Sequence, residues 1–314
     1  MPMIEVSGLT KKFGQITAVD SLTFSVDEGE VFGLLGPNGA GKTTTVRMLC
    51  CLISRTSGTA KLGDLDISHR SETMKIRKMI GIVHDNVGLY ETLTAYENLE
   101  FYGQMYEAPR DLVKGNIKEY LEMLDLWDQR DRRVVSFSKG MKQKVAVARA
   151  LIHDPQILFF DEPTANLDPE ASKVIRDLIL KLKGEGRTIF LNTHNLDEAQ
   201  RTCDRIGILK TKLIAVDTTK NLENAFARKV TAIVLASLND SILNAVESRN
   251  PKRVTVDGNT IRIEMEDPDR DTPSVVSAIS GAGGQIKSVK EEGVSLEGVS
   301  LEDVYLSIMR RGQN

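Results

Sequence analysis

Glu30-Val31-Phe32-Gly33-Leu34-Leu35 is a short apolar run, and Gly36-Pro37-Asn38-Gly39-Ala40-Gly41-Lys42-Thr43-Thr44 follows it directly. The second stretch fits GxxxxGKT and sits where such a loop works, between a strand and a helical pattern that begins at Lys42. Its glycines permit backbone angles that let successive N–H groups curl around phosphate oxygens, and the start of the helix adds its positive end. On this reading Gly36 to Thr44 cradle the phosphates of a nucleotide. Lys42 reaches the β- and γ-phosphates, and the Thr43 hydroxyl binds Mg2+.

A second apolar run, Ile157-Leu158-Phe159-Phe160, ends in Asp161-Glu162. A strand there delivers two carboxylates to its carboxyl end, where ligands gather in open α/β sheets. Asp161 is then expected to hold Mg2+ through its hydration shell. Glu162 is placed to orient and deprotonate an attacking water, because water is a weak nucleophile toward a γ-phosphoryl group.

Between and beyond these runs, short strands at Ile189–Leu191 and Ile206–Leu209 alternate with helical patterns. The alternation predicts an α/β domain over residues 1–225 with a largely parallel sheet covered by helices. Residues Thr94–Leu126 instead read as consecutive helices, with Leu112, Ile117, Leu121 and Leu124 near helical spacing. They predict a helical subdomain spanning about residues 86–152. From Lys229 the pattern changes to strand (Val230–Leu235), helix (Ser241–Glu247), strand (Arg253–Val256), strand (Thr260–Glu264), helix (Pro273–Ile279) and strand (Gln285–Lys290). That βαββαβ order predicts a small α+β, ferredoxin-like domain over residues 226–314. A last amphipathic helix is expected through Leu301, Val304, Tyr305 and Ile308.

Ser136-Phe137-Ser138-Lys139-Gly140-Met141-Lys142-Gln143 opens a further helix upstream of the acidic strand. Here the chain resembles the ATPases of ATP-binding cassette (ABC) transporters, whose signature, LSGGQ, occupies this place. Phe137, Lys139 and Met141 depart from that pattern, whereas Ser138 and Gly140 keep it. The resemblance implies that Ser138 and Gly140 contact the γ-phosphate of ATP bound to a partner subunit. It also implies that Phe13 stacks on adenine, that Asp168, in Ala165-Asn166-Leu167-Asp168, helps to form the opposite site, and that His194 contacts the γ-phosphate. In Ile80-Gly81-Ile82-Val83-His84-Asp85, Asp85 stands where the family has a Mg2+-sensing Gln, so Asp85 is expected to be a metal-contacting residue. His69, His84 and His153 receive no role.

The resemblance covers residues 3–225, and the tail Leu301-Glu302-Asp303-Val304-Tyr305 is similar, more weakly, to the ends of multidrug and polysaccharide exporter ATPases. It implies ATP hydrolysis with Mg2+ in a head-to-tail homodimer or heterodimer, each ATP pinched between Gly36–Thr43 of one subunit and Ser138–Gly140 of the other. A separate transmembrane permease is then the partner, docked at the helical subdomain, and the expected location is cytoplasmic, peripheral on the inner face of the membrane. The rivals are an importer subunit, a non-transport ABC ATPase acting on ribosomes or nucleic acid, and a module that binds ATP without turnover. A net charge of −3 over 314 residues argues against nucleic-acid binding by bulk electrostatics. Cys50, Cys51 and Cys203 match neither a disulfide framework nor a zinc spacing, which points to a reduced, intracellular compartment. No apolar run approaches the roughly 20 residues of a spanning helix.

Overall fold

The computed structural model describes residues 1–84, 87–226, 229–265 and 268–293, together with Tyr305. Asp85 and the expected last helix through Leu301, Val304 and Ile308 lie outside the described residues, Tyr305 apart. The chain divides into two compact units at Thr219/Lys220.

The first unit opens with two long antiparallel strands, β1 (Pro2–Phe13) and β2 (Ile16–Asp27). β3 (Val31–Leu35) passes through the glycine-rich loop into α1 (Lys42–Leu49). Two short strands, β4 (Ser57–Leu62) and β5 (Leu65–Asp66), extend the first pair into an antiparallel sheet of order β2-β1-β4-β5. After α2 (Thr73–Met79) and β6 (Ile80–Val83) comes a run of helices, α3 (Ala95–Met105), α4 (Arg110–Met123) and α5 (Lys139–Leu151). The alternation resumes with β7 (Ile157–Asp161), α6 (Pro169–Gly184), β8 (Thr188–Thr193) and α7 (Leu196–Thr202). An antiparallel pair, β9 (Arg205–Lys210) and β10 (Lys212–Thr218), follows.

The central sheet has the order β10-β9-β3-β8-β7-β6, parallel throughout except for β10. Every residue of β3, β7 and β8 is buried, as expected of parallel strands covered on both faces. The antiparallel sheet was not anticipated from the sequence. It shares the core with the parallel one: Phe24 of β2 stacks on Phe32 of β3 at 5.2 Å between ring centroids, and Phe190 of β8 tilts against both. Burying each of these rings contributes about 1.5–3 kcal/mol.

Registers Leu35↔Thr193 and Asp161↔Asn192 bring the carboxyl ends of β3, β8 and β7 side by side. The loops leaving them therefore converge on one rim of the sheet. The helical segment starts from a capping box, in which the Thr94 hydroxyl accepts from the Glu97 N–H while the Glu97 carboxylate accepts from the Thr94 N–H. Leu99, Val113, Ile117, Leu121 and Leu124 are buried in it.

The second unit begins within α8 (Thr219–Phe226) and runs through β11 (Lys229–Leu235), α9 (Asp240–Glu247), β12 (Arg253–Asp257), β13 (Thr260–Glu264), α10 (Pro268–Gly281) and β14 (Ile286–Gly293). Its four strands are all antiparallel, in the order β12-β13-β11-β14. Ile233, Leu235, Ile261 and Ile263 on one face pack against Ile242, Val246, Val275 and Ile279 of the two helices. α10 starts earlier than the sequence pattern suggests. Proline favours the first helical position, but the proline that takes it is Pro268, and Pro273 lies inside the helix.

Candidate active site

The phosphate loop is shaped by contacts that only glycine tolerates. Gly41 has φ 103°, a left-handed angle, and a Cβ on it would lie 2.4 Å from the Ala18 carbonyl oxygen. A Cβ on Gly36 would lie 2.3 Å from the carbonyl oxygen of Leu209. Pressed between β2 and β9, the loop delivers Lys42 as the first residue of α1. The Lys42 ammonium is nearly buried, donating to the carbonyl oxygens of Gly36 at 2.7 Å and Pro37 at 3.3 Å, with Glu162 Oε1 at 3.9 Å. Burial holds its pKa below the ordinary value of 10.5, and the charges of Glu162 and Asp161 pull the other way. A buried cation held mostly by loop carbonyls, with one carboxylate 3.9 Å away, could hold an anionic ligand at this loop.

Beside the loop, the Thr43 hydroxyl donates to Asp161 Oδ1 at 3.3 Å, joining α1 to the end of β7. Asp161 is fully buried, and the Asn192 amide donates to the same oxygen. A hydroxyl and a carboxylate side by side form an all-oxygen donor pair, which suits Mg2+ rather than a softer metal.

Glu162 takes up a left-handed backbone angle, φ 53°, unusual for a residue with a side chain. The conformation costs on the order of 1–3 kcal/mol and is held by the Glu162 N–H, which donates to the Asn192 carbonyl at 2.8 Å. It turns the carboxylate toward the rim of the sheet, where Oε2 lies 2.8 Å from His194 Nδ1. His194 is 59% exposed. Lys42, Glu162 and His194 thus form a continuous polar chain across the ends of β3, β7 and β8.

The remaining residues singled out from the sequence fall into two places. Ser138 caps α5 by accepting from the Met141 N–H at 3.2 Å, and Asp168 caps α6 by accepting from the Ala171 N–H at 2.8 Å. These two helix starts adjoin, since a Cβ on Gly140 would lie 3.5 Å from Asp168 Oδ2. Phe13, at the end of β1, is 51% exposed, with the Lys11 ammonium 4.8 Å from its ring centroid. None of the contacts described for Ser138, Asp168 or Phe13 joins them to the Lys42–Glu162–His194 chain. Asp85 lies outside the described residues. Sequence reasoning missed Asn192, two residues before His194, because nothing in the sequence pairs its amide with Asp161.

Against known proteins, the ABC transporter family model matches residues 19–165. The chain is 36% identical over 248 residues to the linearmycin resistance ATP-binding protein LnrL of Bacillus subtilis (strain 168), covering 78% of this chain and 79% of that one. It belongs to the ABC transporter ATP-binding proteins. Among further relatives of this ABC ATPase is the Nod factor export ATP-binding protein I of Ralstonia nicotianae, 39% identical over 66% of this chain and 64% of that one. Another is the methionine import ATP-binding protein MetN 1 of Bacillus anthracis, 35% identical over 75% and 74%. A solved dimeric ATP-binding cassette in a post-hydrolysis state with ADP and Pi superposes with a TM-score of 0.63 at 30% identity, covering 69% of this chain and 98% of that one. The protein is accordingly an ATP-binding, ATP-hydrolysing subunit of an ABC transporter. Among its described residues no helix is long and apolar enough to cross a membrane.

Proposed function

We propose that this ABC ATPase drives an exporter by ATP-dependent closure of a head-to-tail dimer against a separate transmembrane permease. The observation that carries the reading is the polar chain from Lys42 through Glu162 to His194, with Thr43 and Asp161 beside it. In this reading Gly36 to Thr44 cradle the triphosphate of one ATP, and Lys42 leaves its loop carbonyls for the β- and γ-phosphates. Thr43 and Asp161 would hold Mg2+, which when bound neutralises developing charge on the phosphate oxygens. Glu162 accepts the proton of the attacking water and His194 steadies the γ-phosphate. Ser138 and Gly140 of one subunit, with Asp168, complete the site of the other, and Phe13 stacks on the adenine.

The domain reading goes with it: residues 1–225 act as the motor and residues 226–314 as an accessory domain. For the permease, the helical segment offers a cluster of aromatic rings. Tyr90 meets Phe101 edge to face at 5.0 Å and lies 6.2 Å from Tyr102, and Tyr90 and Phe101 are substantially exposed. Exposed aromatic rings of this kind suit a protein partner. A chain docked there sits on the cytoplasmic face of the membrane. The export direction follows the resemblance of the tail and the Nod factor export relative, while the methionine import relative supports the opposite direction.

Glu162→Gln tests the core of the proposal. With ATP and Mg2+ the variant should run as a dimer by light scattering and return to a monomer when the nucleotide is removed. A variant that stays monomeric with saturating ATP, with or without its membrane partner, overturns the dimer mechanism. Direction is read separately, from substrate movement in inverted membrane vesicles that contain the permease.

A further inference from the structure

The carboxylate of Glu198 has no part in the chemistry above, yet none of its surface is exposed. It lies in the first turn of α7, where Asn195 caps its backbone N–H at 3.1 Å. Oε1 accepts from the Thr164 hydroxyl at 2.8 Å, and Oε2 accepts from the Thr193 hydroxyl at 2.8 Å. Thr164 stands two residues after Glu162, in the loop leaving β7, and Thr193 stands immediately before His194, at the end of β8. Each oxygen of one buried carboxylate therefore holds one of the two loops that carry Glu162 and His194.

A buried carboxylate is a poor choice for filling space, since it gives up hydration that an apolar side chain never had. Burial pushes the Glu198 pKa above its ordinary value, and the two threonine hydroxyls oppose that shift by stabilising the ionised form. What the charge supplies is direction: two hydroxyls are fixed to two oxygens of a rigid planar group. The backbone bond from the Glu162 N–H to the Asn192 carbonyl aligns the two loops at the strand ends, and Glu198 adds a side-chain link between the turns that follow.

We propose that Glu198 is a positioning residue for ATP hydrolysis, tying Thr164 to Thr193 so that Glu162 and His194 keep the 2.8 Å relation seen in the structure. The inference rests on the hydrolytic reading of Glu162 and His194. It assigns Glu198 no contact with ATP, only control of the residues on either side of it.

The test uses the full-length chain, with phosphate release measured across ATP concentrations and thermal melting measured alongside. Thr164→Val and Thr193→Val each remove one hydroxyl at nearly constant volume. Each should lower kcat by about tenfold or more, because misplacement of a reacting group by an ångström costs up to ~100-fold. KM for ATP should stay within about twofold, because the phosphate loop is untouched. Thr164→Ser and Thr193→Ser, which keep the hydroxyls, should retain most of kcat. On a His194→Ala background, Thr193→Val should cost nothing further, since the group it positions is already gone.

Glu198→Gln keeps the shape but replaces one accepting oxygen by a donor, and should match the valine variants. If it does not fold, the threonine variants decide. Valine variants with wild-type kcat, serine variants as slow as valine, or a full multiplicative loss on the His194→Ala background would each overturn the tie. Should Glu162→Gln be inactive while the valine variants are normal, Glu198 alone loses its role. Normal turnover by both Glu162→Gln and His194→Ala would remove the reading of the site and the tie together.

Discussion

Adding one methyl group to the phosphate loop, Gly41→Ala, probes how tightly the cradle is held by the strands beneath it. Gly41 has φ 103°, and a side chain there costs about 1–3 kcal/mol in backbone strain alone. The new Cβ would lie 2.4 Å from the Ala18 carbonyl oxygen and 3.0 Å from Val19 Cγ2. Ordinary carbon–oxygen contact is about 3.3 Å, so loop or strand must yield by roughly an ångström. Overpacking of that kind adds about 1–3 kcal/mol. Together the two effects amount to roughly 2–6 kcal/mol, or a fall of roughly 5–20 °C in the melting temperature of a unit this size.

Gly39→Ala is the matched control. Its φ is 81°, also left-handed, but no atom lies within 4 Å of the Cβ it would carry. Only the strain of about 1–3 kcal/mol applies there. Differential scanning calorimetry without nucleotide should therefore place Gly41→Ala well below Gly39→Ala. Titration with a fluorescent ATP analogue should show Gly41→Ala binding at least ~10-fold more weakly than wild type, because displaced amides no longer converge on the phosphates. Equal melting temperatures for the two variants, or wild-type ATP affinity in Gly41→Ala, would refute the reasoning.

Three further outcomes are expected. Glu162→Gln should lose ~100- to 10,000-fold in kcat by phosphate release, the range for removing a general base, while still binding ATP; a loss under tenfold contradicts the assignment. Burial lifts the Glu30 carboxyl above its ordinary value of 4.5, outweighing the opposing pull of the Asp27 N–H and of Arg205. The folded chain then keeps a proton that the unfolded chain has released, so this stability is complete below about pH 4.5 and is lost as pH rises through the folded value. Wild-type melting temperature should fall relative to Glu30→Gln across that window, and a difference that does not change with pH would count against it. Finally, Arg149 donates to the carbonyl oxygens of Val87 at 2.7 Å and Gly88 at 3.0 Å and lies 5.0 Å from the Tyr102 ring. Arg149→Ala should cost about 1–3 kcal/mol and raise hydrogen exchange in the segment 87–93; unchanged protection there would rule out the link.

Sequence reading went furthest where function depends on local backbone chemistry. Gly36–Thr44 is legible as a candidate phosphate cradle because such a loop needs particular residue types at particular spacings along one stretch of chain, and Asp161-Glu162 as a candidate acidic pair because an apolar strand precedes it. Family resemblance added Phe13, Ser138, Gly140, Asp168 and His194, none of which composition or periodicity would single out. The antiparallel sheet escaped notice because the β1–β2 pairing slips register several times, which breaks the simple alternation that marks a strand. The start of α10 was misplaced because two prolines compete for one preferred position and the earlier one takes it.

By itself, then, the order of residues determined the glycine-rich loop between β3 and α1, the strand that carries the acids, and the alternation that demands a parallel sheet, since each of these is a short-range property of the chain. Tertiary structure alone decided which side chains meet. Asn192 reaches Asp161 across 31 residues, His194 reaches Glu162 across 32, and Glu198 reaches Thr164 across 34. Those meetings follow from β7 and β8 lying side by side in the sheet, and strand neighbours are chosen by the packing of whole faces, which no single stretch of sequence encodes.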